Sequence, residues 1–365
     1  MKKSYCTLFD SHYIDKGAVT IESFMKYNTT ASLYVLCMDD RCREILNEEY
    51  NNSQIVTVSL NDFLEQCSNM KQVRETRSPG EFSWSCASSF IKYVLDVFNE
   101  ECVTYIDADM RFYSDPDRLV DEMLDNKKEV LIVEHRFKEN FNGRLMQKFA
   151  GRFCVEFNTF LNTEKSRTVL NKWIDDVISS CNSNPESGKP LGDQGYLDEW
   201  PDKYECVHIT KNVGAGIAPW NIDRYKLIDE KTKEFSFDGK GKYQPVFYHF
   251  QGLKYLSDDV VNINIHNYIS RLFTDDKFVD AFYIEYLREI EEKKKYLKEK
   301  YEIHPIIKTH PAYSKEKSQK NKRHISRNIS ISKIYEKVRI RISRIFKEKV
   351  CVAKDIIDIK ALRTK

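Results

Sequence analysis

An α/β fold with a mostly parallel central sheet is predicted by three features of this sequence. Short apolar runs rich in β-branched and aromatic residues alternate with stretches of helical period. The order is strand, helix, strand, helix, which places helices on both faces of a sheet. One run, Val103-Thr104-Tyr105-Ile106-Asp107-Ala108-Asp109, ends in two carboxylates, and ligands in such folds gather outside the carboxyl ends of strands.

Each element follows in order. Strands are expected at 4–9, 32–37, 54–58, 102–107 and 129–133, with helices near 16–27, 39–49, 60–67 and 82–98 between them. A further strand is expected over 153–162 and a helix over 164–181. The loop Leu191-Gly192-Asp193-Gln194-Gly195 comes next, then 206–209, a Gly-containing loop through Asn212-Val213-Gly214-Ala215-Gly216, and Ala218-Pro219-Trp220-Asn221. A last apolar run, 246–250, leads into Gln251-Gly252-Leu253-Lys254, and 278–300 reads as a helix with highly charged later turns. Residues 308–327 are polar and lysine-rich, a linker composition. Beyond them Ile331, Ile334, Tyr335, Val338, Ile342, Ile345 and Phe346 recur at helical steps among Lys and Arg, predicting a basic amphipathic helical tail over 328–365. The expected units are thus a catalytic domain at 1–275, a helical extension at 276–307, the linker and the tail.

Composition bounds the function. The 365 residues are 41% hydrophobic and 13% aromatic, enough for a large core, and the longest apolar runs are far too short to span a bilayer. The basic start reaches Asp10 before a signal-peptide core forms, and the ten cysteines have no Cys-x-x-Cys pair, so reduced thiols in a cytoplasmic protein are expected and a zinc site is not. The net charge of +2 hides an asymmetry: residues 291–365 hold 23 Lys/Arg against 9 Asp/Glu, leaving an acidic body. Such a body does not attract nucleic acid. The basic tail suits either an anionic inner-membrane face or docking on a protein.

Asp107 and Asp109, one residue apart, leave a strand pointing the same way. Paired carboxylates repel unless a cation joins them, and Mg²⁺ or Mn²⁺ commonly bridges such a pair to a diphosphate. The competing reading is a turn, since Asp is common at strand ends and Asp115-Pro116 follows. An aspartyl phosphatase would need Thr or Val where Arg111 stands, and a nucleotidyltransferase would need glycines after the first strand, where Asp10-Ser11-His12-Tyr13 has none.

With Asp10 after the first strand, Asp107-Ala108-Asp109, Gly192-Asp193-Gln194 and His249-Phe250-Gln251-Gly252-Leu253-Lys254 in that order, residues 4–256 resemble the GT-A-fold glycosyltransferases that use nucleotide-diphosphate sugars. Phe82-Ser83-Trp84-Ser85 and Ala218-Pro219-Trp220-Asn221 are similar to the bacterial surface-polysaccharide enzymes related to the glycogenin/galactosyltransferase group. The resemblance implies a Mn²⁺ or Mg²⁺ cofactor on Asp107, Asp109 and His249. It implies a UDP-sugar donor and a glycan or lipid-linked glycan acceptor. Gly252 and Lys254 would meet the diphosphate; Thr7, Phe9 and Asp10 would line the nucleotide pocket; Arg77 would reach phosphate or sugar. Asp193, beside Gln194, would stand next to the reacting carbon. The chain departs from the group in having one residue between Gly252 and Lys254 instead of two, and Cys154-Val155-Glu156 where relatives carry Asn-x-Gly, so Glu156 or Asn158 would take the sugar contact. The alternative is a catalytically inactive carbohydrate-binding or scaffold protein of the same fold.

Overall fold

The computed structural model describes residues 1–51, 54–183, 190–269, 271–307 and 354–362. The first half runs β1 (Ser4–Phe9), α1 (Ile14–Tyr27), β2 (Ser32–Cys37), α2 (Asp40–Glu49), β3 (Ile55–Ser59), α3 (Leu60–Gln66), α4 (Asn69–Thr76), α5 (Pro79–Val97), β4 (Cys102–Ile106), β5 (Met110–Phe112), α6 (Asp117–Asp125) and β6 (Val130–Glu134). The second half runs α7 (Phe141–Ala150), β7 (Phe153–Leu161), α8 (Glu164–Ser179), α9 (Trp200–Lys203), β8 (Val207–Ile209), β9 (Tyr225–Asp229), β10 (Glu234–Phe237), β11 (Lys240–Tyr243), β12 (Phe247–His249), β13 (Lys254–Ser257), β14 (Val260–Asn262), α10 (Asp276–Tyr301) and β15 (Ile356–Asp358).

Seven strands form the central sheet in the order β3-β2-β1-β4-β7-β6-β8. All are parallel except β7, which runs antiparallel to both β4 and β6. The expected α/β class with a mostly parallel sheet and flanking helices is what the chain adopts. Side chains alternate across the sheet as a period of two requires. On β1, Tyr5 and Phe9 enter the core beneath α1 and α2, whereas Cys6 and Leu8 enter the core beneath α3, α5 and α8. Side-chain caps open α2, α3, α5, α7, α8 and α10. Ser78 and Glu81 form a reciprocal capping box at the start of α5, with Pro79 in its first turn.

A third core lies beside the sheet, where α10 packs its Phe282, Tyr283 and Tyr286 against Tyr248 and Phe250. Arg111 of β5, buried, ties α10 in place through Glu289 and Glu285 at 2.7 Å each. The β9-β10-β11 meander, α4, α6 and α7 are absent from the sequence-based expectation. The tail differs from expectation at its described part: Ile356–Asp358 is a strand paired antiparallel with β14, because β-branched Ile356 and Ile357 complete a small sheet and Ile359 fills the third core. The linker at 308–327 and the helix around 331–346 lie outside the described residues. The nine described cysteines are free thiols, and no described helix is long and apolar enough to cross a membrane.

Candidate active site

The site is assembled by one pairing of short strands. β12 runs antiparallel to β5 with His249 opposite Met110, and the Phe250 N–H donates to the Asp109 carbonyl at 2.8 Å. A residue from late in the chain is thereby set against the Asp107–Asp109 corner that follows β4. The His249 Nε2 lies 3.1 Å from Asp109 Oδ1 and 3.6 Å from Asp107 Oδ2. Donor atoms of Asp107, Asp109 and His249 all fall within 4.8 Å of one another.

The three carboxylates around this ring divide the work. Glu156 of β7, fully buried, accepts at Oε2 from His249 Nδ1 at 2.7 Å. With Nδ1 carrying the proton, the Nε2 lone pair faces the aspartates, and Nε2 makes no hydrogen bond despite its short distance to Asp109. An acid–imidazole pair with a bare outer nitrogen beside two more acids suits a divalent cation: oxygen and imidazole ligands, excess negative charge, and an outer carboxylate orienting the ring. Tyr13 donates to Asp109 at 2.8 Å and Tyr105 to Asp107 at 3.1 Å, leaving each carboxylate another oxygen. Cys154 also lies close to His249, and with Glu156 the three form a second, fully buried cluster of ligand types; burial first, and Glu156 after it, push the metal-free thiol up to about 12.

Electrostatics follow from crowding. Burial pushes the Asp107 carboxyl up to about 6, opposed by the His249 ring and reinforced by Asp109 and Glu156. Burial would raise Asp109 too, but His249, Lys16 and the Tyr13 hydroxyl outweigh it and hold that carboxyl below its ordinary value. Burial alone would lower His249; Asp109 and Glu156 reverse this and hold the ring well above its ordinary value. A cation held by these groups would take the place of that proton.

Asp107 and His249 form one wall of a cavity of about 330 Å³, a size suited to a small ligand. Asp193, Gln194, Trp84 and Trp220 line the rest with other aromatics. Asp193 sits at the start of a 3₁₀ turn, its carbonyl held by the Trp173 indole N–H at 2.9 Å. Burial, and next to it the charge of Asp107, push the Asp193 carboxyl up to about 8. Gln194 is anchored by donating to the Ala150 carbonyl at 2.7 Å.

The remaining expected residues lie at varied places in the fold. Arg77 is a correction: its guanidinium donates to the Val177 and Ile178 carbonyls at 2.7 and 2.6 Å and to Ser85, so it caps the end of α8 and does not line the cavity. Phe9 is another, because its ring packs beneath α1 against Gly17 in the core. Thr7 is enclosed within β1 and does not line the cavity. Asp10 caps the first strand near Asp39, and burial, then Asp39, raise its carboxyl. Glu156 faces His249 instead of the cavity. Gly252 has φ +84°, and a Cβ there would meet the Tyr268 hydroxyl at 3.1 Å, so glycine is required by the turn after His249. Lys254 is exposed at the start of β13. The role of Glu156 was missed because it depends on the register of β7 against β4, where Asp107 N–H meets the Glu156 carbonyl at 3.2 Å. Sequence spacing carries no signal for that contact.

No family model matches the chain. It is similar to two uncharacterized proteins of Bacillus subtilis strain 168. YfnD is 26% identical, over 71% of this chain and 80% of the relative. YfnF is also 26% identical, over 80% of this chain and 93% of the relative. Among solved structures it is similar to the galactosyltransferase LgtC in complex with donor and acceptor sugar analogues (14% identity, 68% of this chain and 87% of that one, TM-score 0.45). It is also similar to mouse xyloside xylosyltransferase 1 (10% identity, 69% and 98%, TM-score 0.43). Both solved structures are glycosyltransferases.

Proposed function

We propose that this protein is a metal-dependent glycosyltransferase moving a sugar from a nucleotide-diphosphate donor, a UDP-sugar foremost, to a hydroxyl of a bacterial surface glycan. The observation that carries this reading is the His249 Nε2 set between Asp107 and Asp109 with its far side fixed by Glu156. Bound at Asp107, Asp109 and His249, Mn²⁺ or Mg²⁺ supplies Lewis-acid stabilisation of the negative charge that builds on the departing nucleoside diphosphate.

The chain's own residues supply the rest. Asp10, at the end of β1, and the neighbouring Asp39 offer acceptors for ribose or base hydroxyls and N–H groups. Gly252 lets the backbone approach the diphosphate, and the Lys254 ammonium offsets its charge. Trp84 and Trp220 enclose the sugar and keep water from the reacting carbon. Asp193, which lines the same cavity as His249, takes the proton of the acceptor hydroxyl in this reading, and Gln194 beside it contacts the sugar.

The test is a donor panel. Purified protein is incubated with UDP-, GDP- and dTDP-sugars plus Mn²⁺, and released nucleotide is measured. Release is expected with one donor class and only with metal. Asp109→Ala and His249→Ala are each expected to abolish it while circular dichroism stays native; full activity in either variant would remove the proposed metal site.

A further inference from the structure

The geometry points to a second, anion-recognising subsite beside the cavity, built on α7 and suited to a glycan acceptor that carries a phosphoryl or carboxylate group. This inference rests on the glycosyltransferase reading above and deepens it by naming the acceptor's chemistry. A cleft of about 490 Å³ adjoins the cavity that holds Asp107 and His249, and Phe149 and Leu191 line both. A chain lying in the cleft therefore runs directly into the site of transfer.

The cleft's charged wall is unusual for α7. Arg144 and Lys148 stand one turn apart on the same helix face, line the cleft, and have no ion-pair partner among the described residues. Like charges at that spacing repel, a cost that an anion between them removes. Nearby basic residues are already engaged: Arg152 pairs with Glu134 at 2.7 Å and Lys138 with Asp223 at 3.6 Å. Among the described lining residues the one carboxylate, Asp198, accepts from the Arg152 backbone N–H at 2.7 Å. Phe149, 55% exposed at the cleft's edge, offers an apolar face to a sugar ring. Charge and aromatic surface together describe a site for an anionic oligosaccharide, with Arg144 supplying the fork that matches an oxyanion.

The test uses the full chain with Mn²⁺ and UDP present, and titration calorimetry with three trisaccharides: neutral maltotriose, maltotriose phosphorylated on one terminal sugar, and trigalacturonic acid. At least one charged trisaccharide is expected to bind about tenfold more tightly than the neutral one. The preference is expected to disappear in the Arg144→Gln/Lys148→Gln double variant. The phosphoryl and carboxylate arms then distinguish which oxyanion the cleft takes. Equal affinities, no binding by any of the three, or a preference unchanged in the double variant would overturn the inference. Binding of UDP, GDP and dTDP in the presence of Mn²⁺ is measured in the same preparations. Absence of binding by all three from the unsubstituted protein would overturn the glycosyltransferase reading, whereas binding of any of them without an anion preference would overturn the acceptor subsite alone.

Discussion

In the proposed metal site His249 can serve as a ligand only while its Nε2 lone pair points at the aspartates, and its Nδ1 contact with Glu156 sets that orientation. Glu156→Gln keeps the shape but can turn its amide to donate to Nδ1, which favours the wrong tautomer. Mn²⁺ affinity, read by calorimetry or electron paramagnetic resonance, is expected to fall by about 10–100-fold while the fold is retained. In the unsubstituted protein, Mn²⁺ affinity is also expected to fall as pH falls, because protons compete for His249 and for Asp107, whose carboxyl titrates near 6. Asp193 follows its own course. Its carboxyl titrates near 8, so the base form is scarce at neutral pH and grows as pH rises. Transfer to an acceptor should climb through that range, and Asp193→Asn should lose both the climb and most of the turnover while binding metal normally.

At the scale of elements, the pairing of β5 with β12 makes the site and Arg77 holds a neighbouring helix end. Arg77→Ala removes the donors that cap the last carbonyls of α8 and is expected to cost about 1–3 kcal/mol of stability in urea unfolding. Donor binding should not change; a loss of donor affinity at full stability would return Arg77 to the site. The sequence is easy to read where one element speaks for itself. The alternation of Tyr5, Cys6, Leu8 and Phe9 marks β1 to the residue, and Asp107, Asp109 and His249, singled out by their motifs, are brought side by side by the fold. It is hard to read where a side chain answers to a distant element. Arg77 looks like a ligand-facing arginine until α8 lies beside α5, and Glu156 looks like a sugar contact until antiparallel β7 turns it toward His249. The β9-β10-β11 meander escaped because Lys226, Glu230, Lys231, Lys240 and Lys242 give it a charged surface pattern instead of an apolar run.

For the whole molecule, charge is divided along the chain: residues 308–353 carry 14 Lys/Arg against 3 Asp/Glu. We expect the full chain to sediment with vesicles containing phosphatidylglycerol and to ignore phosphatidylcholine vesicles, with salt reversing the attachment. Indifference to lipid charge would favour docking on a protein. The third core has another consequence. It joins Val19 of α1 to Ile359, so residues from the two extremes of the numbering share one apolar cluster. During synthesis on the ribosome, β1 and β2 can pair long before that cluster is able to close. The face of α10 that meets Tyr248 and Phe250 can join them only after residue 301 has been made. The corner that sets His249 against Asp107 and Asp109 is therefore completed well after the aspartates themselves appear, once β12 can pair with β5.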